Sequence, residues 1–271
     1  MPELPEVETI RRGLERELRG RRIASVSWRN ARLRAASPLP LARLKGRGVA
    51  GLRRHGKHIL AGLDDGKVLL LHLGMTGKLL FARRGEAERP HTHLVLGLDD
   101  GRELRFSDPR RFGLVQLHAG EPATAKALQH YGVDALDPSF TADALAAMLK
   151  GARTPLKAFL LDQGRIAGIG NIYACEALWR AGLSPRRQAG RTPRAKVPVL
   201  WKSIHDVLVD SLERGGTSFN DYVNAIGEPG SFVAKLAVFQ REGLPCPACG
   251  TTVRRIVQSG RSTFWCPACQ R

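Results

Sequence analysis

The sequence predicts an α+β chain in three parts: a β-rich N-terminal domain carrying one helix, a helical middle, and a small C-terminal zinc module. Three observations point there. Apolar residues recur at helical spacing near the start, short β-type runs joined by Asp-Gly turns fill residues 23–118, and two Cys-x-x-Cys pairs lie near the end. With 271 residues, 43% of them hydrophobic, the chain is long enough for two domains or one with appendages. That much apolar material builds a core and excludes disorder over most of the length.

Residues 5–19 read as an amphipathic helix, with Val7, Ile10, Leu14 and Leu18 on one stripe and Arg and Glu elsewhere. Pro5 falls in its first turn, and Glu6 and Glu8 suit the positive end of the dipole. The pattern then shortens to β-type runs at 23–28, 59–63, 68–73, 94–98 and 114–117. Two of them end in Leu-Asp-Asp-Gly, at 63–66 and 98–101, a strong hairpin signal. A largely antiparallel sandwich or flattened barrel with one helix follows. After Tyr131-Gly132 the signals turn helical at 141–150, 155–162, 171–181 and from Pro193 to about Arg214. Thr192 and Pro193 read as cap and first residue of the last helix, and Gly215-Gly216 as its stop. A Gly-rich polar stretch, 215–230, leads to a basic tail in which residues 237–271 carry five arginines and one glutamate. The domain boundaries expected are 1–131, 132–236 and 237–271, as two lobes with a cleft between them.

Charge gives the first functional clue. The formal charge is +18, with 43 Lys and Arg against 25 Asp and Glu, and the pI is about 10.7. A polyanionic partner, most often nucleic acid, fits this balance; solubility alone is the plainer explanation. The longest apolar run, 144–149, is far short of the ~20 residues that span a bilayer. The start, Met-Pro-Glu-Leu-Pro-Glu-Val-Glu, lacks the basic and apolar regions of a signal peptide. A soluble, cytosolic protein without membrane association is the expectation.

Cys246-Pro-Ala-Cys249 and Cys266-Pro-Ala-Cys269 have the spacing of a zinc ribbon, two knuckles closing one tetrahedral site with no open position. The site is expected to be structural, and disulfides are disfavoured in a cytosolic chain. Cys175, inside a helical segment, reads as an ordinary packed cysteine.

Other motifs admit two readings each. Gly164-Arg-Ile-Ala-Gly168-Ile-Gly170-Asn171 opens a helix; it suits a DNA-backbone clamp or a plain helix–helix turn, and a dinucleotide-binding turn is disfavoured because no βαβ unit surrounds it. Asp108-Pro109-Arg110-Arg111-Phe112-Gly113 offers arginines and an aromatic wedge for entering a base stack, or a β-bulge with solvated arginines. Met75, between two glycines after His72, is a probe or core filler. His91-x-His93 lacks a third ligand, so zinc is not expected there. Pro2 follows the initiator Met, and removal of that Met leaves a secondary amine beside Glu3 and Glu6. Chain-terminal amines titrate at about 7.7–8.0, so part is neutral and nucleophilic near pH 7. The alternative is that Pro2 and Pro5 merely stiffen the start.

Taken together, these residues resemble the formamidopyrimidine-DNA glycosylase family, bacterial enzymes that excise 8-oxoguanine and ring-opened purines. The resemblance runs through Pro2–Thr9, Lys57, His72–Met75, Asp108–Gly113, Gly168–Ala174 and the four-cysteine finger with Arg261. It implies an N-terminal β-sandwich, a helix–two-turn–helix domain and a zinc finger, with double-stranded DNA in the cleft. It also implies Pro2 as Schiff-base nucleophile, Glu3 as the acid assisting base loss, Lys57 in β-elimination, and Arg261 in δ-elimination and phosphate binding. Met75, Arg110 and Phe112 match the residues that fill the gap left by a flipped nucleotide. His72, His91, Arg111, Arg153 and Asn171 match DNA-contacting positions, and the 217–230 stretch resembles the loop closing over the extruded base. One structural zinc, no organic cofactor and a monomer working in the bacterial cytoplasm on the nucleoid complete the expectation. His58 departs from the pattern, since family members often carry an aromatic or apolar residue after the lysine. The competing readings are an endonuclease VIII-type enzyme for oxidised pyrimidines, against which Leu4 and the Asp-Pro-Arg-Arg-Phe-Gly motif argue, and a zinc-ribbon DNA-binding protein without catalysis.

Overall fold

In the computed structural model, which describes residues 2–29, 33–218 and 223–271, the chain forms two units. The first comprises residues 1–129 with 214–231, the second 130–213 with 232–271. Among the described residues no helix is long and apolar enough to cross a membrane.

The first unit opens with α1 (Leu4–Leu18), whose apolar stripe Leu4, Val7, Ile10, Leu14 and Leu18 is buried. Eight strands follow: β1 (Ile23–Trp28), β2 (Val49–His55), β3 (His58–Leu63), β4 (Val68–His72), β5 (Lys78–Arg83), β6 (Thr92–Leu98), β7 (Arg102–Ser107) and β8 (Leu114–His118). They form two four-stranded sheets, ordered β1-β6-β7-β5 and β2-β3-β4-β8, with every neighbouring pair antiparallel. Both Asp-Gly turns are hairpins, β3–β4 and β6–β7, with Gly66 and Gly101 at φ +79° and +84°. One apolar core holds Leu96, Leu104 and Phe106 from one sheet, Ile59, Leu71 and Val115 from the other, and Val7, Ile10, Leu14 and Leu18 of α1. The expected sandwich with one helix is therefore present. A short helix, α2 (Glu121–Leu128), and strands β2, β5 and β7 were not legible as such in the sequence.

The second unit contains β9 (Val133–Asp134), α3 (Ala142–Leu149), α4 (Leu156–Leu161), β10 (Ile166–Ala167), α5 (Asn171–Ala181), α6 (Val197–Glu213), β11 (Arg254–Gln258) and β12 (Arg261–Trp265). Thr141 caps α3 by accepting from the Ala144 N–H at 3.1 Å. The last long helix begins at Val197 rather than Pro193. Thr192 does not cap it: its hydroxyl donates back to the Ala189 carbonyl at 2.8 Å, and a 3-10 turn over Arg194–Lys196 intervenes.

The zinc module is joined to the helices of its own unit by buried polar anchors. Glu176 of α5, 1% exposed, accepts the N–H groups of Ala237, Val238 and Phe239 at 3.0, 3.0 and 2.8 Å. Burial pushes its carboxyl up from the ordinary range, against the pull of those three donors. The 214–231 segment packs with the sandwich instead. Ala225 belongs to the sandwich core, lying 3.1 Å from the position a Cβ would take on Gly13.

Candidate active site and nucleic-acid interface

The start of α1 brings the first two candidate residues together. Pro2 is buried directly before the helix, and Glu3 is the N-cap. Glu3 and Glu6 form a reciprocal capping box: each side chain accepts from the other's backbone N–H, with Glu3 N–H to Glu6 Oε2 at 2.8 Å. The other Glu6 oxygen accepts the Thr217 N–H at 2.7 Å, tying the helix start to the 214–231 segment. Glu3 is 3% and Glu6 1% exposed. Two carboxyl side chains next to Pro2 are thus fixed by backbone donors.

Lys57, also buried, sits in the two-residue turn joining β2 to β3, where Gly56 supplies the positive φ of +55° that such a turn needs first. This turn is bonded to α1. Glu8 accepts from Arg11 Nε and Nη2 at 3.0 Å, from Arg12 Nε at 2.9 Å and from Arg54 Nε at 3.1 Å. Arg54 then donates to the Gly56 carbonyl at 2.9 Å. These guanidinium contacts overcome the opposing effect of burial and hold the Glu8 carboxyl below its ordinary range.

His58 pairs across the hairpin with His72, their ring centroids 4.7 Å apart. Burial first, then a neighbouring histidine (His55 for His58, His58 for His72) and the cations Arg34 and Lys57, push His58 down to about 4 and His72 to about 3. Both rings are neutral near pH 7. Nδ1 of His72 accepts the Gly74 N–H at 2.9 Å, which places its ring proton on Nε2.

The loops after β4 and β7 carry the candidate probes. Met75 is 37% and Phe112 48% exposed, and the Arg110 guanidinium lies 4.8 Å over the Phe112 ring. Large apolar side chains left in solvent on rigid loops suit a ligand that covers them. His91 and Arg111 are exposed, both in the left-handed backbone region at φ +62° and +57°. His91 lies just outside β6, one residue before its first. His93 is buried and donates to the Asp108 carbonyl at 2.9 Å.

In the second unit the Gly-rich turn runs from α4 through the two-residue β10 to α5, and β10 pairs in parallel with the equally short, earlier β9; among the described residues no strand after α5 joins it. Gln163 braces it by accepting the Gly168 N–H at 3.0 Å and donating to the Ile169 carbonyl at 2.8 Å. Asn171, first residue of α5, donates to the Ser262 carbonyl at 2.9 Å. Lys157, fully buried, donates to the same carbonyl at 2.9 Å and to the Thr263 hydroxyl at 2.6 Å. Arg261 precedes this doubly held residue and follows a Ser259-Gly260 turn with φ +50° and +71°. It is exposed, and so is Arg153. Lys157 and Glu176 carried no signal in the sequence, because their partners lie 105, 106, 61, 62 and 63 positions away.

The four cysteines converge. Their Sγ atoms lie within 4.8 Å of one another, with Cys246–Cys269 at 3.9 Å and Cys249–Cys266 at 3.5 Å. A regular tetrahedron with Zn–S bonds of ~2.3 Å has S–S edges of ~3.8 Å, so the donor set fits zinc. A hydrogen bond from Thr251 lowers Cys249 to about 6, while Cys269, beside Cys249 and partly desolvated, is pushed up to about 12. Four thiolates cannot share this space without a cation to hold them.

Fold and site define a class: a basic α+β protein whose β-sandwich unit buries Pro2 and whose helical unit ends in a four-cysteine zinc finger. Family models match all three parts: the formamidopyrimidine-DNA glycosylase N-terminal domain over residues 1–115, the formamidopyrimidine-DNA glycosylase H2TH domain over 131–223, and the zinc finger found in FPG and IleRS over 243–271. The formamidopyrimidine-DNA glycosylase of Cereibacter sphaeroides (strain ATCC 17029 / ATH 2.4.9) is 50% identical over 283 residues, covering 100% of both chains. Among solved structures, the MutM (FPG) protein of Thermus thermophilus is 41% identical with a TM-score of 0.88, covering 99% of this chain and 98% of that one. A point mutant of the Lactococcus lactis FPG, bound to Fapy-dG-containing DNA, is 30% identical with a TM-score of 0.92 over 100% of both chains. The Lactococcus lactis protein is also known in complexes with abasic-site DNA and with oxidised-pyrimidine DNA. The chain belongs to the formamidopyrimidine-DNA glycosylase family.

Proposed function

We propose that the chain is a bifunctional DNA glycosylase and AP lyase of base excision repair that removes oxidised purines from double-stranded DNA. The observation that carries the reading is the buried Pro2 directly preceding the Glu3–Glu6 capping box. Once Met1 is removed, the Pro2 nitrogen attacks C1′ of the damaged nucleotide and the bond from C1′ to the base breaks. The Glu3 carboxyl donates the proton that assists base departure and opening of the sugar ring. The resulting iminium acidifies the hydrogens at C2′. Loss of one expels the 3′-phosphate, with Lys57 serving this β-elimination, and Arg261 serves the δ-elimination that releases the 5′-phosphate. Water then hydrolyses the iminium and frees Pro2.

Met75, Arg110 and Phe112 fill the space of the extruded nucleotide, and His72, His91, Arg111, Arg153 and Asn171 contact the DNA. Cys246, Cys249, Cys266 and Cys269 hold the structural zinc, which when bound fixes the two knuckles flanking the Arg261 hairpin. The functional division is into 1–131, 132–236 and 237–271, with the lesion loop near 217–230, of which 219–222 lie outside the described residues. The protein acts as a monomer in the bacterial cytoplasm on the nucleoid. Processing of the N-terminus tests the reading. A chain with a retained N-terminal extension is expected to bind lesion DNA but not excise the base, and normal turnover by that chain would exclude Pro2 as nucleophile.

A further inference from the structure

We infer that Asp108 is a positioning residue that locks the loops bearing Met75, His91 and Arg110–Phe112 into one rigid probe; this rests on the proposal that those residues enter the duplex. Asp108 is 0% exposed, and all of its hydrogen-bonding atoms are engaged. Its N–H donates to the His91 carbonyl at 3.0 Å, and its own carbonyl accepts from His93 Nε2 at 2.9 Å and the Arg111 N–H at 3.2 Å. Oδ1 accepts the Thr76 hydroxyl at 2.6 Å, and Oδ2 accepts the Gly113 N–H at 2.7 Å. Thr76 extends the chain by accepting the Arg110 N–H at 3.3 Å. One carboxylate therefore ties the turn after β4 to both ends of the loop after β7, and its backbone ties in the residues entering β6.

Two glycines let these backbones touch. A Cβ on Gly74 would lie 2.5 Å from the Phe112 carbonyl carbon, and one on Gly113 would lie 2.6 Å from the Phe106 ring and 3.0 Å from Asp108 Oδ2. The loops interlock through these polar and backbone contacts, and Met75 and Phe112 stay 37% and 48% exposed while their bases are fixed. A wedge entering a base stack works against stacking, and a loop that must first be ordered adds its own entropy to that cost. Buried hydrogen bonds to a carboxylate remove that second cost before DNA arrives.

The test compares Asp108→Ala and Thr76→Val with Asp108→Asn and Thr76→Ser. The asparagine oxygen retains the Gly113 contact while the Thr76 hydroxyl rotates to accept, so Asn and Ser are the rescuing variants. Substrates are an 8-oxoguanine·cytosine duplex and a single-stranded abasic oligonucleotide, which has no orphaned base to face. A 2-aminopurine placed next to the cytosine that faces the lesion reports wedge insertion. Asp108→Ala and Thr76→Val are expected to raise KM on the duplex about tenfold and to suppress the 2-aminopurine signal, as when buried donors lose their acceptor. Cleavage of the single strand should stay within about twofold, and Asn and Ser should recover most of the loss. Equal loss on both substrates would reduce Asp108 to a folding role, and wild-type KM and signal in Thr76→Val would remove the lock; either overturns the inference. If Phe112→Ala and Met75→Ala leave duplex kinetics unchanged, the probe assignment itself falls and takes this inference with it, by a signature the Asp108 variants do not share.

Discussion

Glu8→Gln is the perturbation that best separates the packing of α1 from the chemistry beside it. Glu8 accepts four charge-assisted hydrogen bonds from Arg11, Arg12 and Arg54, and its side chain is 12% exposed against 9% for Arg54. Glutamine keeps one acceptor oxygen and turns an NH2 toward guanidinium donors, so two of the four bonds fail and Arg54 loses its counterion. Breaking a fully buried pair costs ~3–5 kcal/mol; the partial exposure here, with Arg12 well exposed, lowers the expectation to ~2–3 kcal/mol. At ~2–4 °C per kcal/mol for a protein of this size, Tm should fall by ~4–12 °C. The Glu8 pKa is lowered in the folded state, so its stabilisation is fully present above the ordinary value of 4.5 and is lost as pH falls below it. The gap between wild type and variant should therefore be the same at pH 7 and pH 5. Arg54 also holds the Gly56 carbonyl, so the variant should cleave abasic duplexes more slowly relative to iminium formation as the Lys57 turn loosens. Thermal unfolding of Glu8→Gln, Arg54→Met and the double variant reads the coupling directly. A Tm change under ~1 °C, or full additivity of the two substitutions, would refute the reasoning.

Zinc removal by a strong chelator, or Cys266→Ser, should disorder the hairpin that carries Arg261 and weaken DNA binding; unchanged affinity after verified zinc loss would contradict that. His58 and His72 are neutral when folded and take up protons when unfolded. Their contribution is complete above pH ~6.5 and is lost as pH falls toward their lowered values of about 4 and 3. Stability should fall between pH 6.5 and 4 with a slope approaching ~1.4 kcal/mol per pH unit for each ring, and His58→Phe should remove one ring's share; an unchanged slope in that variant would reject the assignment. Binding to duplex DNA should weaken steeply with salt, and a flat dependence of log K on log salt would count against phosphate contacts.

What the sequence made legible follows periodicity and spacing. The α1 stripe, both Asp-Gly hairpins and the cysteine tetrad were readable because each signal is local. Strand β2 escaped because only Val49 and Leu52 of its seven residues are buried, and β7 because it opens on charged Arg102 and Glu103. Helix α1 was read from Pro5, whereas a carboxylate cap at Glu3 starts it one residue earlier, a box with Glu where Ser or Thr is usual. The site was named by motif but not by its supports. Glu8–Arg54, Thr76–Asp108 and Glu6–Thr217 join residues 46, 32 and 211 positions apart, and no local pattern announces such pairs. Family membership accounts for the rest of what was foreseen.

Borohydride trapping tests the central claim most directly, using a duplex with one 8-oxoguanine opposite cytosine beside one carrying an oxidised pyrimidine. The account predicts a covalent adduct on the purine-lesion duplex, formed in preference to the other and mapped by peptide sequencing to Pro2. An adduct confined to the pyrimidine duplex would contradict the purine-lesion reading. No adduct on either, from protein with a verified free N-terminal proline, would contradict the Schiff-base chemistry itself.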